Sequence, residues 1–437
     1  MSETIIKQNY KQTEVGLIPE DWEVKKMSEI SSLKGRIGWQ GLKQDEFTMN
    51  SSQPFLITGM NFKHGEIKWD EVYHVPYERY EIAKEIQLRE DDVLMTKDGT
   101  IGKILYVGEI PNPGLATLNS HLLLFRPINN SYIPKYLYYH LHTPFFKKHI
   151  ENTKSGTTFF GISQESVSKH QVLLPPTLNE QRTIATALSD IDELLTSLEQ
   201  LISKKQAIKQ GAMQELLTPP NQGGKRLPGF SGEWEEKKLG ELIYSFQNGY
   251  GFSASGYKKE GVPIVTMAQI GLKGEFQFNK NKVNYWSSED AYKLKSFTLY
   301  KGDLIISMTD VTPEKNLIGR MAIVDVNGPL FLNQRVGLLR VNKELVDPEI
   351  LKHLSGMREW RSYSKAIASL GVQANIGTYD IINGTFFLSS IKEQKAIAQV
   401  LSDMDEEIKA LEEKKVKYQK IKEGMMQELL TGKIRLV

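Results

Sequence analysis

The 437-residue chain contains no cysteine. A disulfide scaffold, a thiol nucleophile and every cysteine-ligated zinc or iron–sulfur site are therefore excluded. No hydrophobic run approaches the roughly 20 residues needed to cross a membrane, and residues 1–9 lack the apolar core of a secretion signal. We therefore expect a cytoplasmic protein without a membrane partner. The net charge of +2 neither favours nor disfavours nucleic acid as a ligand.

Catalytic motifs are also missing. The sequence has no G-x-x-x-x-G-K-[ST] phosphate loop, no G-x-S-x-G nucleophile elbow and no H-E-x-x-H zinc helix. It lacks the Asn/Asp-Pro-Pro-aromatic motif expected for methylation of a base, because residues 174–177 read Leu-Pro-Pro-Thr. His140 and His142 fall on different faces of a predicted helix, which argues against a metal site. We expect no cofactor and no catalytic activity from this chain.

Two segments of the chain repeat one another without a gap. Residues 180–218 and 393–431 share 22 identities in 39 aligned positions. Fainter similarities precede them, such as Leu118-Asn119 with Leu332-Asn333. A repeat of about half the chain is too long for a solenoid. Each half is therefore a globular domain followed by a long, closely repeated segment.

The repeated segments are predicted to be long helices. Their apolar residues alternate steps of four and three, as at Ile184, Leu188, Ile191, Leu195, Leu198 and Ile202. This spacing is typical of a coiled-coil seam, and Pro219-Pro220 ends the first helix. A single amphipathic rod needs a partner and each half supplies one, so we predict an antiparallel pair. A mere dimerisation device is the alternative.

The remaining sequence predicts two α+β domains. Short β-type runs broken by Gly, Pro and Asn, each followed by a late helical stretch, indicate mostly antiparallel sheets. The predicted fold class is thus α+β, with two globular domains, two long helices forming an antiparallel coiled coil, and an internal pseudo-two-fold repeat. The predicted divisions are a first domain at 1–178, a helix at 179–218, a linker at 219–228, a second domain at 229–391, a helix at 392–431 and a tail at 432–437.

Aligned aromatic–basic pairs suggest a surface for nucleic acid. Phe146-Lys147 and Trp360-Arg361 occupy equivalent positions, and polar loops follow at 155–161 and 369–375. Basic side chains beside small polar ones suit phosphate anchoring and base reading. The alternative is that the aromatics are core and the charges a solvated helix face. The phosphate candidates are Lys147, Lys154, Arg361 and Lys365, and the neighbouring Lys148 and Arg358 are further DNA-binding candidates. The base-edge candidates are Thr157, Thr158, Gln373 and Asn375.

Two further motifs carry a family resemblance. E-Q-x-x-I-A-x-x-L-S-D-x-D-E begins each long helix, at 180–193 and 393–406, and M-Q-E-L-L-T ends each, at 213–218 and 426–431. With these motifs the sequence resembles the specificity subunit of type I restriction–modification systems over essentially its whole length. Residues 92–103 resemble the family's turn in the recognition domain, which adds Lys97 to the DNA-binding candidates. The second copy departs there, with residues 310–316 inserted.

The resemblance implies a division of labour. Two target recognition domains would each read one half of a split, asymmetric double-stranded DNA site. The helices would dock two modification (methyltransferase) subunits and two restriction (motor and nuclease) subunits. Identical helix residues off the seam suggest a shared partner used twice, which makes them docking candidates: Gln181, Asp190, Asp192, Glu193, Gln394, Asp403, Asp405 and Glu406. The alternatives are a coiled-coil scaffold without a DNA role, and the specificity subunit of a methyltransferase-only complex.

Overall fold

The computed structural model describes residues 9–37, 41–62, 67–156, 160–369 and 374–436. The chain divides into two units, Met1–Leu198 with Lys414–Val437, and Glu199–Glu413. Each unit therefore contains one globular domain together with the beginning of one long helix and the end of the other. Within the described residues, no helix is long and apolar enough to cross a membrane.

The first unit contains eleven described strands and the start of the first long helix. Its strands are β1 Tyr10–Thr13, β2 Gly16–Pro19, β3 Glu23–Lys26, β4 Ser31–Lys34, β5 Phe55–Ile57, β6 Tyr73–His74, β7 Val93–Thr96, β8 Ile104–Tyr106, β9 Ala116–Leu118, β10 Leu122–Pro127 and β11 Gln171–Leu174. Its helices are α1 Met27–Ile30, α2 Tyr77–Ile82, α3 Pro134–His140, α4 Pro144–Thr153, α5 Gln164–Ser168 and α6 Leu178–Leu216, which continues into the second unit.

The second unit contains twelve described strands and the start of the second long helix. Its strands are β12 Glu235–Lys238, β13 Ile243–Asn248, β14 Val262–Val265, β15 Tyr285–Trp286, β16 Thr298–Leu299, β17 Leu304–Ser307, β18 Thr309–Asp310, β19 Met321–Ile323, β20 Leu330–Leu332, β21 Val336–Val341, β22 Ala374–Asn375 and β23 Thr385–Leu388. Its helices are α7 Pro348–Leu354, α8 Arg358–Ile367, α9 Thr378–Asn383 and α10 Ile391–Leu429, which ends in the first unit.

Equivalent sheets form the centre of each domain. The antiparallel order β4-β10-β7-β8 in the first unit matches β13-β21-β17-β19 in the second. Beside them lie β6-β5-β9 and β15-β14-β20-β16, each with one parallel pair, β5 with β9 and β14 with β20. The predicted fold class of mostly antiparallel α+β domains is thus confirmed.

The central strands are continuously apolar because both faces of the sheet are covered. In β10, Leu123 and Phe125 pack on one face with the helices, whereas Leu122 and Leu124 pack on the other face. Period-two alternation between polar and apolar residues is therefore absent from β10, and burial on two faces replaces it.

The long helices pair in opposite directions. In the first unit, Ile184 and Leu188 near the start of α6 share a core with Leu429 and Leu430 at the end of α10. In the second unit, the end of α6 shares a core with the start of α10 through Met213 and Leu217, and Ile397 and Leu401. The beginning of each helix thus packs on the end of the other, as an antiparallel coiled coil requires.

An arginine fixes the start of each long helix within its unit. Arg435, which follows α10, binds Glu180 near the start of α6, with Nη2 and Oε2 2.8 Å apart. Arg226, which follows α6, binds Glu393 at 3.0 and 2.6 Å. Both glutamates are buried. A buried carboxylate requires such a partner, so these two pairs explain why this glutamate occurs in both copies of the helix motif.

Candidate nucleic-acid interface

Each domain has an asparagine in the turn that leads into its central sheet. The turn joins β9 to β10 in the first domain and β20 to β21 in the second. In the first domain, the backbone N–H of His121 donates to Asn119 Oδ1 at 3.1 Å. In the second, the backbone N–H of Arg335 donates to Asn333 Oδ1 at 3.2 Å. Asparagine favours such local bonds in turns. The two residues after each asparagine, Ser120-His121 and Gln334-Arg335, therefore occupy equivalent positions.

Two further segments flank the turn of the first domain. The backbone N–H of Lys97 donates to the carbonyl of His121, and the N–H of Ile162 donates to the carbonyl of Lys97, both at 2.9 Å. We call this three-segment ladder, residues 119–121, 97–98 and 161–162, the first edge. It places the predicted DNA contact Lys97 between the turn and the polar loop that ends at residue 161.

The second domain builds the same ladder. The N–H of Met308 donates to the carbonyl of Arg335 at 3.0 Å, and the N–H of Ile376 donates to the carbonyl of Met308 at 2.9 Å. Residues 333–335, 308–309 and 375–376 form the second edge. The predicted base contact Asn375 lies on it, is exposed, and pairs with Thr309 in the β18–β22 ladder.

The two edges differ in side-chain chemistry. On the first, His121 Nδ1 lies 3.1 Å from Asp98 Oδ2, and both side chains reach solvent. The second edge has Thr309 at the position of Asp98. The next residue, Asp310, is buried and accepts hydrogen bonds from Thr312 and from the backbone of Leu317. Burial would raise the pKa of Asp310, but these hydrogen bonds hold it below its usual value. The second edge therefore lacks an exposed carboxylate at this position.

An open groove of about 850 Å³ borders the first edge. Its polar lining residues are Gln44, Thr58, Thr96, Asp98, Thr100, Lys103, Asn119 and His121. The lining thus contains hydrogen-bond donors and acceptors together with apolar side chains such as Met60, which is 69% exposed. Such a mixture can hydrogen-bond base edges and contact a thymine methyl group.

Three lysines predicted to contact DNA in the first domain lie on α4 or directly after it. Lys147 and Lys148 are exposed in its first half, whereas Lys154 follows its last residue and leads into the first edge. Lys154 forms an ion pair with Glu151 at 2.6 Å and lies 5.0 Å from the centre of the Phe160 ring. Thr157 and Thr158, the predicted base contacts, lie outside the described residues.

Arg361 does not have the exposed position that the sequence interpretation required. It is buried and donates hydrogen bonds to the carbonyls of Ile318, Lys315 and Asn316. Burial lowers the pKa of its guanidinium to about 10. The phosphate assignment of Arg361 is therefore corrected: its donors hold the loop inserted at residues 310–316.

The other residues of the second domain that were predicted to contact DNA differ in their exposure. Lys365 is half-buried and donates to Asn316 Oδ1 at 3.0 Å, so it too holds the inserted loop. Arg358 is exposed at the start of α8. Gln373 lies outside the described residues. The aromatic partner Trp360 is buried, as the alternative interpretation of the aromatic–basic pairs expected.

Two of the predicted docking residues are buried within their own units. Gln181 accepts from the N–H of Ile133 at 2.9 Å, and Gln394 accepts from the N–H of Asp347 at 3.1 Å. Each glutamine is 2% exposed. Each accepts a hydrogen bond from the backbone N–H of the residue that precedes a helix, α3 in the first unit and α7 in the second. The docking assignment of this glutamine pair is therefore corrected, because an internal hydrogen bond accounts for its identity.

Two further predicted docking residues, Asp192 and Asp405, also have partners within the chain. Asp192 Oδ1 lies 2.5 Å from Lys422 Nζ, and Asp405 Oδ1 lies 2.5 Å from Lys209 Nζ. By contrast, the remaining four predicted docking residues are exposed. These are Asp190, Glu193, Asp403 and Glu406.

The edges also reveal residues that the sequence interpretation missed. The repeated Leu-Asn of the two turns was visible, but Ser120-His121 and Gln334-Arg335 were not selected as candidates. The sequence did contain a signal for these residues. The repeated Leu-Asn is identical in both halves, but the two residues that follow it differ. Over the described part of the chain, no group of three or more His, Asp or Glu side chains could hold a metal ion.

Comparisons with known proteins match these duplicated features. The family model "Type I restriction modification DNA specificity domain" matches twice, at residues 19–210 and 231–421. A putative MjaX specificity subunit of Methanocaldococcus jannaschii is 30% identical over 98% of this chain and 97% of its own length. The MjaVIII specificity subunit of the same organism is 26% identical, covering 98% and 96%.

Solved structures show the same fold. The S subunit of a type I restriction–modification system from M. genitalium has a TM-score of 0.61 at 14% identity, covering 98% of both chains. A chain described under complex assembly and conformational transition of the type I R-M system has a TM-score of 0.51 at 17% identity, covering 95% of this chain and 99% of its own.

The double match defines a DNA recognition component without catalytic function. The chain belongs to the family of type I restriction–modification DNA specificity subunits. The resemblance carried by the two helix motifs is thereby confirmed.

Proposed function

We propose that this specificity subunit reads a split, asymmetric DNA site, one half with each recognition domain. The observation that carries the proposal is the duplicated edge. The same backbone bonds hold Ser120-His121 in one domain and Gln334-Arg335 in the other. A repeated frame suits the same kind of ligand twice, whereas unlike donors and acceptors prefer unlike bases. Two domains at 1–178 and 229–391 would therefore specify two different half-sites.

Phosphate contacts would position each edge without selecting sequence. The exposed cations suited to this role are Lys147 and Lys148 on α4 and Arg358 on α8. Lys97 on the first edge and Lys154 after α4 could add to them. Loss of one such contact should weaken binding to every duplex alike and reduce the salt slope by about one unit.

The exposed acidic residues of the long helices would dock the other subunits. Asp190 and Glu193 on α6 recur as Asp403 and Glu406 on α10, exposed in both copies. The part of the structure that is described gives no internal partner for Asp190, Glu193 or Glu406, while Asp403 accepts from Gln399. We propose that two modification subunits bind these equivalent surfaces, one each, and that two restriction subunits complete the assembly.

Methylome sequencing of cells with and without the gene tests the proposal. We expect modified adenines within a motif of two specified half-sites separated by unread base pairs, present only when the gene is present. Absence of any motif that depends on the gene, together with no salt-dependent binding of the chain to duplexes, would support a scaffold without a DNA role. A dependent motif without cleavage of unmodified DNA by the assembled complex would identify a methyltransferase-only system.

A further inference from the structure

We propose that Arg335 recognises a guanine in the half-site read by the second domain. The inference rests on the proposed function and specifies the chemistry of its second edge. It starts from the position of Arg335 at the tip of the turn between β20 and β21, where the side chain is exposed.

The backbone that carries Arg335 is held from three sides. Its N–H is bonded to Asn333 Oδ1 at 3.2 Å and its carbonyl accepts from Met308 at 3.0 Å. The N–H of the preceding Gln334 donates to the carbonyl of Tyr250 at 3.0 Å. A side chain on a fixed backbone loses less conformational freedom on binding than one on a mobile loop. The turn therefore presents Arg335 in a defined direction.

The charge of Arg335 is not neutralised within the described residues. No described side chain forms a hydrogen bond or an ion pair with its guanidinium. The first domain differs, because its equivalent residue His121 is paired with Asp98. The position that corresponds to Asp98 is Thr309, and the next residue, Asp310, is buried and bound to the inserted loop. The second edge thus has a threonine where the first has the carboxylate that pairs with His121, so no carboxylate competes for the arginine at this position.

The free guanidinium matches one base in particular. Guanine presents two adjacent acceptors, N7 and O6, in the major groove, and arginine donates to both at once. Lysine supplies a point charge without this planar fork. Asn375, on the third segment of the same edge, adds a second polar and exposed residue to this surface. The second edge is accordingly a donor-rich surface suited to a purine.

Arg335→Ala separates base reading from phosphate anchoring. The complete complex with its modification subunit is expressed in cells that lack other adenine methylation, and the methylome is sequenced. We expect the variant to lose discrimination at a single G·C position of one half-site, by on the order of 10- to 100-fold. The other half-site should be unchanged. Lys343→Ala, another exposed basic residue of this domain, is the matched control and should keep the full motif.

Two further variants protect the test against a loss of folding. Arg335→Lys keeps the charge but should still relax the same position, and Arg335→Gln should shift it from guanine toward adenine, which glutamine contacts with two bonds. An unchanged motif in all three variants would overturn the proposal. A uniform loss at every site would also overturn it, because Arg335 would then bind phosphate. If the unmodified chain gave no bipartite motif, the proposed function itself would fail instead.

Discussion

Lys422 Nζ lies 2.5 Å from Asp192 Oδ1, so the end of one long helix is tied to the beginning of the other. The repeat equivalents, Lys209 and Asp405, form the same pair at 2.5 Å. Only an antiparallel arrangement of two repeated helices brings each lysine to the aspartate of the other copy. The identity of these residues off the hydrophobic seam therefore has a structural cause.

Asp405→Ala should destabilise the chain because it leaves the ammonium of Lys209 without a partner. The Lys209 side chain is 10% exposed, so we expect a loss of about 1–3 kcal/mol in the free energy of unfolding. Urea denaturation of the purified chain measures this loss. Asp403→Ala, two positions earlier and exposed, is the control and should change stability by less than about 0.5 kcal/mol. Equal effects of the two substitutions would contradict the structural role of the pair.

His353 should make the second unit sensitive to acid. Burial, followed by the charges of Lys352 and Lys209, lowers its pKa to about 2. An unfolded histidine titrates near 6.5, so the stability contributed by the neutral ring is complete above pH 6.5 and falls as the pH drops towards 2. At pH 5 the loss is on the order of 2 kcal/mol. The first unit has Tyr139 at this position, where its hydroxyl donates to Asp192 at 2.8 Å.

His353→Tyr should therefore reduce the pH dependence. The new hydroxyl would lie near Asp405, the equivalent of Asp192, and could add about 1 kcal/mol at neutral pH. His353→Leu is the control, since it removes the titration without adding a hydrogen bond. Thermal unfolding of both variants and the unmodified chain at pH 7.5 and pH 5 measures the difference. An unchanged drop in melting temperature between these pH values would show that His353 does not titrate on unfolding.

Reversal of the exposed acidic charges should prevent docking without unfolding the chain. The variant combines Asp190→Lys, Glu193→Lys, Asp403→Lys and Glu406→Lys. All four positions are exposed, and substitutions at such positions usually alter stability by about 0.5 kcal/mol or less. We expect the fourfold variant to lose co-purification with the modification subunit. Glu413→Lys, an exposed acidic position whose repeat equivalent is Gln200, is the control. Normal assembly of the fourfold variant would place the docking surface elsewhere.

The sequence predicted the helices well because their signal is local. Apolar steps of four and three, repeated in two copies, require only neighbouring residues to be compared. The same reasoning assigned Gln181 and Arg361 wrongly, because their environments depend on distant segments. Gln181 binds the backbone of Ile133, and Arg361 binds carbonyls more than 40 positions away. A polar residue that recurs in a repeat can satisfy an internal backbone group as readily as it can bind a partner.

The edges were harder to predict for the same reason. Each edge joins three segments through single backbone hydrogen bonds, as Met308 joins Arg335 to Ile376. Lys97 and Asn375, chosen from a family motif and a polar loop, fall on these edges. Their common neighbours in the turns could be recognised only when the strand order was known.

A chimera tests most directly the claim that each domain reads one half-site. Residues 229–391 are replaced by a copy of residues 1–178, while both long helices and the Arg226–Glu393 pair remain. Co-purification with the modification subunit confirms assembly, and methylome sequencing reads the site. The account predicts a motif in which the first half-site occurs twice and the second has disappeared. Persistence of the second half-site in the assembled chimera would contradict it.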